Sequence, residues 1–177
     1  PAAASSRPRG GPIQLFYQPD SAPRRPLIDR AEGIYMWDVD GKRYIDATSG
    51  PVVSNIGHGN RNVLEAMAAQ AAKACFASRA LFENQPNIDL ADMVTELAGP
   101  GLERAFIVSG GSEATETALK LARQYVVAKG EGARWKVIGR DPGFHGSSLG
   151  ATAVTGDPET DEMFGPGMRE MPRVPAP

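Results

Sequence analysis

Apolar positions change period several times along the chain, and each change marks an element. In GIYMWDVDGKRYID, Gly33 to Asp46, two apolar and aromatic runs flank Asp40-Gly41. That layout predicts a β-hairpin with Asp-Gly in a type I′ turn, where both central residues take positive φ. Gly50, Pro51, Gly57 and Gly59 then mark a loop. From Arg61 to about Phe76 the period becomes helical, with Val63, Ala66, Met67 and Gln70 on one face. Asn87 to Ala98 repeats the pattern through Ile88, Ala91 and Val94, and Gly99-Pro100-Gly101 stops it. Arg104 to Val108 and Trp135 to Gly139 read as short strands. Between them Ala114, Ala118, Leu121, Ala122 and Tyr125 form a helical apolar stripe. RDPGFHGSSLGATAVTG leads from the second strand into another helix. Strand, helix, strand, helix with short connections predicts parallel βαβ units and an α/β fold.

Composition narrows the function classes. The chain has 177 residues, 41% hydrophobic and 23% charged, which suits a soluble protein with a real core. A net charge of -2 with scattered arginines and lysines argues against nucleic-acid binding, which needs a concentrated basic surface. The single cysteine, Cys75, rules out an intrachain disulfide, and no Cys/His cluster has metal-ligand spacing. No apolar run approaches the ~20 residues that span a bilayer. The opening PAAASSRPRGGP carries Arg7 and Arg9 without an acid, as organellar leaders do, but Pro8, Gly10, Gly11 and Pro12 oppose an amphipathic helix. A disordered tail in a cytoplasmic protein is the expectation, with a mitochondrial location as the alternative. The Pro/Gly-rich end, FGPGMREMPRVPAP, reads as loop.

The chemistry concentrates at Ser109-Gly110-Gly111-Ser112, where a strand hands over to a helix. Ser112 suits the N-cap, and Glu116 and Lys120 stand four apart in the order that favours an ion pair. The unpaired amides of a first helical turn attract anions, and glycine lets a ligand approach the backbone. Standing alone, the stretch reads equally as a tight turn with a capped helix. Its spacing matches neither the dinucleotide fingerprint nor the P-loop. A second constellation follows at Gly143-Phe144-His145-Gly146. An aromatic ring between glycines can lie flat on a ligand ring, and the imidazole can add a hydrogen bond. Core packing for Phe144 and a loop hydrogen bond for His145 are the plainer alternatives. Together the two motifs describe a planar aromatic ligand that carries a phosphate, held along one rim of the sheet.

With these motifs the chain resembles the class III, fold-type I aminotransferases that use pyridoxal 5′-phosphate. EGIYMWDVDGKRYIDATSGPVVSNIGHGN is similar to the family's N-terminal hairpin and Gly-His-Gly segment. SGGSEATETALKLARQY is similar to its phosphate-binding turn and helix, and GFHGSSLGATAVTG to its (Tyr/Phe)-His-Gly motif. The resemblance runs from about Leu27 to Gly167. It implies an incomplete fold-type I transferase: a tail over 1–26, a hairpin and helix segment over 27–75, the first part of the large mixed-sheet cofactor domain over 76–167, and a loop-like end over 168–177.

The resemblance also implies roles. The amides of Gly111 and Ser112, with the Ser112 hydroxyl, hold the cofactor phosphate. Phe144 stacks on the pyridine ring, and His145 and Gly146 complete the wall. Val52 and Val53 fall near the substrate, where relatives place a bulky aromatic; His58 holds its loop. The reaction implied transfers an amino group between an amine or amino acid and a 2-oxo acid or aldehyde, in a homodimer. None of Lys42, Lys73, Lys120, Lys129 and Lys136 matches the family's Schiff-base lysine, so no catalytic residue and no metal ligand is assigned. The chain alone is therefore expected to be inactive. Half of a split enzyme and a non-catalytic phosphate-binding relative are the alternatives.

Overall fold

A computed structural model of the chain describes residues 25–177. The tail expected over 1–26 lies outside the described residues up to position 24. Contacts divide the chain into two units, one ending at Ser78 and the other beginning at Arg79.

The first unit is built on an antiparallel meander of β1 (Ile28–Glu32), β2 (Tyr35–Asp38) and β3 (Arg43–Ile45). β2 and β3 are the predicted hairpin, paired in register Tyr35 with Ile45 and Trp37 with Arg43. β1 escaped the sequence reading because IDRAE carries little apolar signal. Its place is set by β2, with the Arg30 guanidinium 3.6 Å above the centre of the Trp37 ring. The turn differs from the type I′ expectation. Only Gly41 takes positive φ, at 81°, and Asp40 does not. The Gly41 amide bonds to the Asp38 carbonyl at 2.9 Å and the Asp38 amide to the Lys42 carbonyl at 3.0 Å. That is a three-residue loop ending in a left-handed glycine. The Asp38 carboxylate favours it by accepting from the Asp40 and Lys42 amides at 3.0 and 2.9 Å and from the Tyr44 hydroxyl at 2.7 Å.

A kinked turn, α1 (Ser49–Val52), and α2 (Arg61–Lys73) complete this unit. The Asn60 side chain caps α2, accepting from the Val63 amide at 3.3 Å. α2 stops at Lys73, short of Phe76, because Ala74 turns extended.

Two carboxylates here set a pH dependence. The hydrogen bond from Tyr44 holds the Asp38 carboxyl below its usual range, and that from His58 does the same for Asp46. A depressed folded-state value contributes stability that is present above the unfolded value of about 4 and lost as pH falls through the folded one. The hairpin unit should therefore be flat in stability near neutrality and weaken progressively below about pH 4. Trp37 fluorescence followed through an acid titration reads this, and Asp38→Asn should flatten the acid limb.

In the second unit α3 (Gln85–Ala98) is capped by Asn84, which accepts from the Asn87 amide at 3.0 Å, and ends at Gly99 with φ 85°. Then come α4 (Gly111–Ala128), β4 (Gly139–Asp141), α5 (Leu149–Ala153), α6 (Pro158–Phe164), a 3₁₀ turn at Gly165–Gly167 and β5 (Arg173–Pro175). β4 and β5 pair in parallel, Gly139 with Arg173 and Asp141 with Pro175. This is a βαβ connection, as expected, but its strands are not the expected ones. Arg104 to Val108 forms no strand, since no other segment among the described residues offers it a ladder. The strand expected over Trp135 to Gly139 begins only at Gly139, where β5 reaches it. That β5 also gives structure to an end expected as loop. Arg173 fixes the crossover through a two-pronged pair with Asp161, one contact at 2.7 Å.

The buried apolar residues of this unit are Ala151, Ala153 and Val154, with Thr152 and Thr155 buried beside them. They lie on and just after α5, where a Cβ on Gly139 of β4 would stand 2.3 Å from the Val154 carbonyl oxygen. The stripe on α4 is not buried: Leu121 and Tyr125 remain 64% and 61% exposed, and the Tyr125 ring meets the Lys129 ammonium 5.6 Å from its centre. α4 instead makes its contacts through Ser112, Thr115 and Glu116. Among the described residues no helix is long and apolar enough to cross a membrane.

Candidate cofactor site

The first turn of α4 presents a row of free donors. Gly110, in extended backbone, is the N-cap, not Ser112. The Ser109 amide is taken by the Glu113 carboxylate at 2.8 Å, and the first intrahelical bond runs from the Ala114 amide to the Gly110 carbonyl at 3.0 Å. Between these, the amides of Gly110, Gly111, Ser112 and Glu113 have no acceptor among the described residues. A Cβ built on Gly110 or Gly111 would meet nothing within 4 Å, so the space beside them is open. The aligned peptide dipoles add about half a positive charge at this end.

Ser112 links this turn to the second motif. Its Oγ accepts from the Ser147 amide at 2.9 Å, which orients the hydroxyl and leaves its proton free to donate. The loop from Gly143 to Ser148 is sewn to α4 and α5 at several points. Thr115 Oγ1 donates to the His145 carbonyl at 2.7 Å, and the His145 amide donates to Thr155 Oγ1 at 3.0 Å. Gly146 has φ 141°, and a Cβ there would stand 2.8 Å from Ser112 Oγ and 2.7 Å from the Ala151 Cβ. Only glycine allows that approach.

The structure thus brings Gly111, Ser112, Gly146 and the His145 backbone together. Phe144, two residues before Gly146, leaves its ring 78% exposed and open to a partner. The His145 imidazole turns inward: Nε2 is buried without a hydrogen-bond partner among the described residues, 3.5 Å from where a Gly143 Cβ would lie. Val52 and Val53 belong to the other unit and are 70% and 76% exposed. Val52 holds φ 62°, unusual for a β-branched residue. The turn that strains it is tied by the Asp46 carboxylate. That group accepts from the Ser49 amide at 2.8 Å and the Ser54 hydroxyl at 3.1 Å and pairs with His58 Nε2 at 2.9 Å. His58 also bridges backbone to backbone with Gly33. It holds its loop, as the sequence reading has it.

Glu116 is the residue that sequence reasoning misplaced. No pairing with Lys120 forms. Glu116 Oε1 accepts from the Ser148 hydroxyl at 2.8 Å and from the Gly150 and Ala151 amides at 2.9 and 3.2 Å. No group of metal-binding side chains occurs among the described residues. A cavity of about 520 Å³ bordered by Asp161, Met168, Arg169 and Arg173 contains none of the motif residues.

A phosphate-bearing aromatic group fits what is present: converging free amides, a donor hydroxyl, open space before two glycines and an uncovered ring. The comparisons with known proteins point the same way. An uncharacterized aminotransferase of Schizosaccharomyces pombe is 41% identical over 143 residues, covering 80% of this chain and 31% of that protein. The acetylornithine aminotransferase of Caldanaerobacter subterraneus is 35% identical over 160 residues, covering 90% of this chain and 40% of that protein. Among solved structures, an amine transaminase from an uncultivated Pseudomonas species in its PLP-bound form superposes with a TM-score of 0.84 at 30% identity. That match covers 94% of this chain and 38% of the other. The chain thus spans between 31% and 40% of the length of these relatives, and over that span its fold is that of the fold-type I transaminases. Residues 16–177 match the aminotransferase class-III family, and the chain belongs to this family.

Proposed function

We propose that this chain holds pyridoxal 5′-phosphate for a transaminase. The amides of Gly111 and Ser112 and the Ser112 hydroxyl take the phosphate, and Phe144 lies against the pyridine face. Gly146 keeps the wall close, with His145 behind it. When bound, the coenzyme supplies an electron-withdrawing ring that carries an amino group between an amine or amino acid and a 2-oxo acid or aldehyde. The chain's own contribution is to bind, to orient the ring and to keep one face of it dry. Val52 and Val53 are the positions that the resemblance assigns to the substrate. By the resemblance, none of Lys42, Lys73, Lys120, Lys129 and Lys136 takes the Schiff-base role, so the proposal assigns proton transfer at the substrate to none of them. Pairing of two copies, as the resemblance implies, is part of the same proposal, as is a cytoplasmic location.

The single observation that carries this reading is the row of unpaired amides from Gly110 to Glu113, with Ser112 Oγ fixed beside it by Ser147. Pyridoxine 5′-phosphate lacks the aldehyde that would react with surface lysines, so it reports the cradle alone. Calorimetry with the full chain should show binding to one site, displaced by inorganic phosphate. Binding that phosphate does not displace, or no binding, rejects the cradle.

A further inference from the structure

Glu116 sits on the second turn of α4, one turn beyond Ser112, and the proposed function gives it no task. Its carboxylate is nonetheless among the most heavily bonded groups of the unit. One oxygen receives the Ser148 hydroxyl and the Gly150 and Ala151 amides, all from 32 to 35 residues away. Gly150 and Ala151 open the first turn of α5, and Ser148 is its N-cap. Ser148 makes no cap bond of its own within α5, so a side chain from another helix caps it. The fit is tight. A Cβ on Gly150 would fall 2.5 Å from Oε1 and 2.6 Å from Oε2, so glycine at 150 is what lets the carboxylate reach the amides.

The consequence lies upstream. Phe144 to Ser147 hangs between β4 and α5. It is held to α4 at Thr115, at Ser112 and, through Ser148 to Ala151, at Glu116. Among the described residues, Glu116 brings the only carboxyl side chain that bonds in that seam. Hydrogen bonds to a charged acceptor are roughly twice as strong as neutral ones. The charge also lies close to the phosphate turn, and the α5 amides, with their own positive end, oppose it.

We propose that Glu116 is the positioning residue of the cofactor site. By capping α5 it locks the Phe144–Ser147 loop onto the phosphate turn, so that anion binding and ring stacking occur on one rigid unit. This rests on the cradle reading above and adds to it a residue that touches neither phosphate nor ring.

The test uses the full chain with Glu116→Gln and Glu116→Ala, and two probes, inorganic phosphate and pyridoxine 5′-phosphate. Glutamine keeps a neutral acceptor and should retain most of the geometry. Alanine should leave phosphate affinity within about twofold while the extra affinity that the ring confers falls about tenfold. Amide hydrogen exchange gives a readout that needs no ligand. In Glu116→Ala the Ser147 amide, bonded to Ser112 and not to Glu116, should exchange about tenfold faster along with Gly150 and Ala151. Faster exchange at Gly150 and Ala151 alone would reduce Glu116 to a local cap and overturn the proposal. An unchanged ring advantage in Glu116→Ala would overturn it too, with the cradle reading intact. Failure of the unaltered chain to bind either probe would sink both together.

Discussion

Ser112→Asp should weaken binding of pyridoxine 5′-phosphate by at least about a hundredfold while leaving the fold as stable as before or slightly more so. The two effects part because they depend on charge differently. Ser112 is the second residue of α4, where a carboxylate opposes the positive end of the helix dipole favourably, by ~0.3–1 kcal/mol. Aspartate also keeps an oxygen able to accept from the Ser147 amide, so the seam to the loop survives. A phosphate brought to within about 4 Å of that carboxylate meets like charge. At an effective dielectric of about 20 each pair of unit charges then costs about 4 kcal/mol. Screening over a Debye length of about 10 Å removes about a third of it, which leaves roughly two decades in affinity. Ser112→Ala sets the scale for losing the hydroxyl alone, about tenfold. Calorimetric titration of both variants beside thermal melts separates binding from folding. A Ser112→Asp variant that still binds the probe tightly would place the phosphate elsewhere.

What was legible in the chain, and what was not, divides by the distance over which each feature is decided. The hairpin could be read because two apolar and aromatic runs, with Tyr35 and Trp37 in one and Tyr44 and Ile45 in the other, flank a turn signal within a few residues. The turn type could not, because a side chain chooses it. Asp38 gathers the amides of Asp40 and Lys42 and so selects a longer loop than Asp-Gly alone suggests. The glycines of the site were legible for a related reason. Gly110, Gly111 and Gly146 are needed where a backbone must stay open or come close, and that need shows as composition. Glu116 was hidden. A basic residue four positions on offered a local partner, whereas its real partners come from α5. Strand positions failed in the same way. Phe106, Ile107 and Val108 have strand propensity, but a strand exists only where a ladder partner does. β4 lies at Gly139–Asp141 because Arg173–Pro175 pairs there.

Gly146→Ala should be the most damaging single methyl in the second unit. At φ 141° an L-residue is strained, a penalty of about 1–3 kcal/mol. The added carbon would also stand 2.7 Å from the Ala151 Cβ, 2.8 Å from Ser112 Oγ and 2.9 Å from the Ser112 Cα. The last of these is backbone on a regular helix and the first belongs to a fully buried residue, so neither can yield as a surface side chain would. Overpacking of this kind costs about another 1–3 kcal/mol. The chain can relieve the clash in one direction, by lifting the Phe144–Ser147 loop off α4. That breaks the bonds from the Ser147 amide to Ser112 and from Thr115 to the His145 carbonyl. The expected result is a loss of about 2–6 kcal/mol in urea unfolding, with binding of the phosphate probe lost alongside it. Gly165→Ala is the matched control: its φ is -45° and its added carbon would meet nothing within 4 Å, so stability should hold within about 0.5 kcal/mol. Two glycines of one unit would then differ by several kcal/mol for the same methyl, which ties the fold of this region to the closeness of the loop and the helix turn. Equal stability in the two variants would mean that the loop does not rest on Ser112, and the cofactor wall built from it would have to be abandoned.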